Sequence, residues 1–292
     1  MKIVFGILAS HNENYNLFKN VWIKFITKFK NSQHKDLIDF FFLYSENTIP
    51  TLSDKELQNR IDANGNRLFY DYYSETENEE IMESFVRRSL SLLKHLDQSP
   101  DGLPTYFIRT NISTLFDFEK MISWLNDKPR NLFLGGSIVD NIFPTFVCFS
   151  GTNLIFSKDV CKFIINHENF ICQRLNNILG DDRFFTHFII QNLPVSLCSV
   201  KRIDFIDITH NEKLVKIVNY HKCTPYDTNI FCFRFKTSDR LFDIDLMNKM
   251  YNLIETQNFD LNNFTKNTNL TITCSIPEYD ILSDNIFKIK IY

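Results

Sequence analysis

Residues 3–9, Ile-Val-Phe-Gly-Ile-Leu-Ala, are apolar without interruption. A strand can be apolar at every position only where both of its faces are covered, as in a parallel sheet lying between layers of helix. The next segments fit that environment. Leu17, Val21, Trp22, Phe25 and Ile26 recur at helical spacing over residues 14–29, and a second apolar run follows at 37–44. After a polar stretch at 47–66, read as a loop or insertion, a third strand over 67–73 leads into an acid-rich turn at 74–80. Acids are favoured in the first turn of a helix. The helix predicted there is the most regular in the chain, with Ile81, Met82, Phe85, Val86, Ser89, Leu90, Leu93 and Leu96 on one face. It is followed by Tyr106-Phe-Ile-Arg-Thr-Asn111, an apolar strand that ends in a polar tip.

Strands alternating with helices imply a mainly parallel sheet with helical cover. The second half is more mixed. A short helix is expected from Leu115, Phe118, Met121, Ile122 and Leu125, strands at 131–136 and 144–149, and a helix capped by Ser157 that carries Val160, Phe163 and Ile164. Another helix begins near Asp182, a further one spans 244–256, and alternating stretches occupy 269–274 and 286–292. The fold class is therefore α/β, a central mixed, mainly parallel sheet flanked by helices. No linker or repeat divides residues 1–292, which read as one domain with halves at 1–115 and 116–240 and an extension at 241–292.

A net charge of −3 gives no electrostatic footing for nucleic acid. The excess of Phe, Asn, Ile and Lys (30 Phe against 7 Gly) reflects AT-rich codons and concerns the source, not the chemistry. The seven cysteines all lie in the second half and none are spaced as zinc ligands, so reduced, structural thiols are expected. No apolar run reaches the length of a bilayer span, and the N-terminal run is too short for a signal peptide; a cytoplasmic protein is expected. Walker, GxGxxG, HExxH and GxSxG motifs are absent.

Three groups carry candidate chemistry. At the tip of the 106–111 strand, Arg109 offers a planar cationic fork suited to phosphate, with Thr110 and Asn111 beside it. A surface arginine before an ordinary turn would look the same. Asp181-Asp182 after Gly180 either open a helix or supply a general base. Arg234, Lys236 and Arg240, interleaved with Phe233 and Phe235, either close over a diphosphate or protect a strand edge. His221 is a lone histidine, structural or a late ligand.

The order of these segments resembles the GT-A glycosyltransferases, within them the β1,3-galactosyltransferase and Fringe-like group, and looks closest to glycosyltransferase-like proteins of giant DNA viruses and some bacteria. The matching segments are Val4-Phe-Gly-Ile-Leu-Ala-Ser10 with Trp22, Tyr70-Asp-Tyr-Tyr-Ser-Glu with the 79–96 helix, Ile108-Arg-Thr-Asn-Ile-Ser113 where that group has its acidic metal motif, Ser150-Gly-Thr-Asn-Leu-Ile-Phe-Ser157-Lys-Asp159, and Asp181-Asp182-Arg183. The resemblance covers roughly residues 1–240. It implies an inverting hexosyl- or N-acetylhexosaminyltransferase that uses a nucleotide-diphosphate sugar, UDP-linked by expectation, and a glycan or protein acceptor. Asp182 or Asp181 would be the base. Ser10, Asp71, Arg109, Thr110, Asn111, Arg234, Lys236 and Arg240 would bind the donor, and Gly135, Gly136, Ser150 and Gly151 would form the acceptor side. A divalent cation, Mn2+ or Mg2+, is doubtful, because Arg109-Thr110-Asn111 replaces the acidic motif; Asn111 and His221 are the candidate ligands. The alternatives are a non-catalytic nucleotide-sugar or glycan-binding protein on the same fold, and a nucleotidyltransferase, for which Ala9-Ser10-His11-Asn12-Glu13 offers little.

Overall fold

The computed structural model describes residues 1–45, 68–74, 82–139, 148–174, 181–207, 230–256 and 270–274. Its centre is a seven-stranded sheet. Strands β1 (Ile3–Leu8), β2 (Ile38–Ser45), β3 (Tyr70–Ser74) and β4 (Tyr106–Asn111) lie parallel in the order β4-β1-β2-β3. Beyond β4 come β9 (Asn153–Ser157), β6 (Phe133–Gly136) and β10 (Ser196–Ser199). Of these only β9 runs antiparallel to β4. This is the mixed, mainly parallel α/β architecture expected from the apolar runs.

The alternation along β1 shows why that strand is apolar throughout. Ile3, Phe5 and Ile7 face a core completed by Trp22 and Phe25 of α1 (Glu13–Phe29), by Phe118 and Met121 of α3 (Phe118–Asn126), and by Leu246 of α7 (Arg240–Thr256). Val4 and Leu8 face the other way, onto Val86 and Leu90 of α2 (Met82–Gln98), Val160 of α4 (Lys158–Asn166), Ile171 of α5 (Glu168–Arg174) and Phe185 of α6 (Asp181–Asn192). Helices therefore cover both faces.

A second sheet has the order β13-β11-β12-β5, built from β5 (Thr114–Phe116), β11 (Arg202–Asp207), β12 (Cys232–Lys236) and β13 (Leu270–Cys274). Ile203, Phe205, Phe233 and Phe235 point into the core shared with α1 and α7. The alternate residues Arg202, Asp204, Arg234 and Lys236 take the opposite face, as period two requires. A small pair, β7 (Ile138–Val139) and β8 (Cys148–Phe149), completes the strands described.

Two details depart from the sequence reading. Leu115, assigned to a helix face, belongs to β5; the helix starts only after Asp117, whose carboxylate accepts the Lys120 N–H at 3.1 Å. The last helix begins at Arg240 instead of near 244, because Asp239 accepts the N–H groups of Leu241 and Phe242 at 2.9 and 3.1 Å. Among the described residues no helix is long and apolar enough to cross a membrane.

Candidate functional site

The sheet order places a topological switch at β1 and β4: the chain leaves β1 toward β2 and β3, then returns to β4 on the other side. The crevice beyond the carboxyl ends of two such strands is where open α/β sheets bind ligands. Its edges are held firmly. The buried Arg88 guanidinium donates to the carbonyls of Ala9 and Leu43 at 2.8 and 2.9 Å, tying together the ends of β1 and β2. The Trp22 indole N–H donates to Ile112 O at 2.8 Å, just past β4. Ser10 and Asn111, both partly exposed, stand at this mouth. Beside them the His11 ring stacks on Tyr44 (centroids 4.3 Å apart, planes within 11°) and nearly parallel to Tyr73 at 5.9 Å, so three aromatic rings gather at the ends of β1, β2 and β3.

Asp71 does not face this mouth as a free acid. Its carboxylate holds Lys19 Nζ at 2.5 Å, and Lys19 also donates to the Tyr44 hydroxyl at 2.8 Å while lying over the rings of Phe42, Tyr44 and Phe69. The ion pair of Asp71 with Lys19 braces Tyr44.

The other side of the β4 tip brings distant segments together. The Gly151 N–H donates to the Asp182 carboxylate at 3.0 Å. Asp182 lies in the first turn of α6, where the helix dipole favours a negative charge. Thr186 Oγ1 donates to Asp182 O at 2.8 Å and accepts the Phe149 N–H at 3.2 Å, which pins this turn to β8. The Ser150-Gly151 turn and the acid after residue 180 are thus in contact across 31 residues of sequence. The Asp181 side chain and His221 lie outside the described residues.

Arg109 is packed against the Gly151 turn. It is only 2% exposed, and its guanidinium lies against the Gly151 backbone so closely that a Cβ there would overlap Nη1. Asp182 Cβ would be 3.1 Å from that same Cβ, so Arg109 packs beside the Gly151–Asp182 contact. Thr110 is fully buried and donates its hydroxyl to Thr152 O at 2.6 Å. Asn111 alone of the three remains at the mouth.

The glycines assigned to the acceptor side are buried within β6. The space a side chain would need at Gly135 is taken by the Phe133 ring, and at Gly136 by Phe149. Ser150 is buried and its hydroxyl pairs with Thr152 Oγ1 at 2.9 Å. The Ser157-Lys-Asp159 part of the motif is also structural. Ser157 Oγ donates to Asp159 at 2.6 Å, and the Asp159 carboxylate accepts the N–H of Leu132, whose φ of 49° is a strained value for a branched side chain.

The second sheet supplies the charge that completes the site, including two residues the sequence reading missed. Arg202 forms a fork with Asp204 at 2.6 and 2.7 Å and donates to Thr152 Oγ1 at 2.5 Å. Burial presses its pKa down, but the Asp204 pair, with smaller help from Asp182, carries the net shift upward. Arg234 is next to Asp204 in register, also within the field of Asp182, and its pKa is lowered by burial and then by Arg202. Lys236, exposed two residues on, is lowered first by the Arg234 charge, then by burial and by Arg240. Arg240 itself, on α7, is committed to buried Asp243 at 2.9 Å.

Of the candidate ligands for a divalent cation, Asn111 stands at the mouth and His221 lies outside the described residues. Among the described residues no three His, Cys, Asp or Glu side chains gather as a metal-binding group.

No protein-family model matches the chain, and no curated protein matches it. Among solved structures it is similar to the crystal structure of a glycosyltransferase involved in the glycosylation of the major capsid of PBCV-1. The identity is 10% and the TM-score 0.49, over 85% of this chain and 100% of that one, a likeness too weak to carry an argument.

Proposed function

We propose that the protein is a GT-A-type glycosyltransferase that moves a sugar from a nucleotide-diphosphate donor, UDP-linked by expectation, to a hydroxyl of a glycan or protein. The observation that carries this reading is Asp182: a partly exposed carboxylate, oriented by the Gly151 N–H at 3.0 Å and by a helix N-terminus, next to the switch-point crevice and opposite a cationic strand. In the reaction, the acceptor oxygen attacks the anomeric carbon from the face opposite the leaving group. Asp182 takes the hydroxyl proton as the new C–O bond forms, and the bond to the diphosphate breaks with both electrons leaving on its oxygen. Sugar hydroxyls are poor acids, so the base contributes only when positioned at the moment of bond formation. The His11, Tyr44 and Tyr73 rings, with Ser10 and Asn111, offer the donor's base and ribose an aromatic and polar seat.

A second reading, a non-catalytic nucleotide-sugar or glycan-binding protein, is favoured by one observation, the replacement of the acidic metal motif by Arg109-Thr110-Asn111. Incubation with UDP-, GDP- and TDP-sugars and a glycan acceptor array separates the two. An enzyme releases nucleoside diphosphate in an acceptor-dependent way with one of these donors. Binding of a donor without release from any acceptor supports the second reading, and neither binding nor release overturns both.

A further inference from the structure

The Arg202–Asp204 pair is buried where stability alone does not call for it. Both residues lie in the interior, and a buried ion pair adds little net stability over apolar residues of the same volume. What the pair does is reach out of the second sheet. With Arg202 Nη2 donating to Asp204 at 2.7 Å, Nη1 extends to Thr152 Oγ1 at 2.5 Å, on the turn that leads into β9 of the first sheet. Thr152 Oγ1 also pairs with Ser150 Oγ at 2.9 Å, and Thr152 O accepts the Thr110 hydroxyl at 2.6 Å. The Ser150 N–H donates to Ser137 O at 2.7 Å. The residues on either side of Gly151 are therefore pinned, and the N–H between them is the donor to the Asp182 carboxylate. A glycine's own backbone preferences leave the direction of its N–H open, so its neighbours set it.

We propose that Arg202 is a positioning residue for Asp182. It acts through Thr152: the fork fixed by Asp204 holds the Thr152 hydroxyl, the hydroxyl holds the 150–152 turn, and the turn aims the Gly151 N–H at the carboxylate. The chemistry of each group suits its part. A guanidinium is planar and carries its N–H groups in a rigid fork, so one cation grips Asp204 and Thr152 at once in fixed directions, which a lysine ammonium on a flexible stem does not. Asp204 supplies the neutralising charge that lets the guanidinium stay buried. That Asp182 is a base rests on the function proposed above; the relay from Arg202 to the Gly151 N–H does not.

Thr152→Val cuts the relay while leaving Arg202 on Asp204, and Thr152→Ser keeps the hydroxyl. One readout is amide hydrogen exchange at Gly151 by NMR. Ser150-Gly151 is the only Ser-Gly pair in the sequence and Phe5-Gly6 the only Phe-Gly pair, so isotope labelling of the preceding carbonyl and the glycine nitrogen isolates each amide. T152V should speed exchange at Gly151 at least about tenfold relative to Gly6 of β1, which reports global opening, and T152S should stay within about threefold of wild type. The other readout is turnover, per folded protein, of the nucleotide sugar the wild type uses. T152V should lower kcat about ten- to a hundredfold, the cost of a misplaced catalytic group, with the donor Kd within about twofold. T152S should recover most of that loss, and R202K should behave as T152V. If wild type turns over no nucleotide sugar, the glycosyltransferase reading fails and the exchange rates alone decide for or against the relay. The proposal is overturned if Gly151 in T152V exchanges within about twofold of wild type, if T152S is as impaired as T152V, or if the lost turnover follows donor affinity or the unfolded fraction.

Discussion

Gly151→Ala adds one methyl group at the most crowded point of the candidate site. The new Cβ would overlap Arg109 Nη1 and come within 3.0 Å of its Cζ and 3.1 Å of Asp182 Cβ. Arg109 is 2% exposed and cannot swing into solvent, so the backbone at 151 or the first turn of α6 has to move. Overpacking of this kind costs about 1–3 kcal/mol. Loss of the Gly151 N–H bond to the Asp182 carboxylate adds about 1.5–3 kcal/mol. A total of about 2.5–6 kcal/mol is a large share of the stability of an ordinary domain, and at about 2 °C per kcal/mol for a chain of this size it lowers Tm by about 5–12 °C. The diagnostic assay is a double-mutant cycle by urea unfolding. Arg109→Ala opens the space the methyl needs, so G151A should cost at least about 1 kcal/mol less in that background. Additivity of the two substitutions to within about 0.5 kcal/mol would refute the reasoning, because it would mean that Gly151 is not held small by Arg109.

Other outcomes follow from the same structure. Lys19→Met strands the Asp71 carboxylate, which is 5% exposed, and should cost about 3–5 kcal/mol in urea unfolding, most of it recovered in K19M/D71L; equal stability of the single and double variants would contradict this. Cys161 and Cys232 are fully buried free thiols whose pKa values burial pushes far up. Iodoacetamide at pH 8 should therefore label neither in the native protein and both after denaturation, as read by peptide mass spectrometry. Asp243 has a carboxyl lifted above its ordinary value, first by burial. A raised folded-state pKa gives stability that is complete below the unfolded pKa and is lost as pH rises through the folded one. The stability of wild type relative to D243N should thus fall as pH is raised through the acid range, and a rise would count against it.

The first half of the fold was legible because each of its elements is marked locally. β1, β2 and β4 are apolar enough to need cover on both faces, and α1 and α2 carry regular apolar stripes. β5 was lost to the neighbouring helix because Leu115 and Phe118 happen to fit helical spacing, although Asp117 between them is the cap. The candidate site was only partly legible. Asp182 and Gly151 were both singled out, but their contact joins residues 31 apart and needs the tertiary fold. Arg109 was singled out because it stands near the end of a strand; the alternation of β4 turns it toward α6, a placement that needs the tertiary fold. The glycines of β6 were assigned to the acceptor side, and the rings of Phe133 and Phe149 fill the space beside them. Arg202 and Asp204 went unnoticed, although an Arg-x-Asp pair in an alternating strand places opposite charges on one face, a signal available from period two alone.

The central claim is that Asp182 acts as a base on a bound sugar acceptor and does not merely shape the fold. Its most direct test is the turnover of Asp182→Asn on whichever nucleotide sugar the wild type uses, measured together with the Kd for that donor. The account predicts a loss of about 10²- to 10⁴-fold in kcat, with donor affinity within about twofold of wild type, since the amide oxygen still accepts the Gly151 N–H. Turnover retained within about threefold, or a loss explained entirely by weaker donor binding, would contradict it.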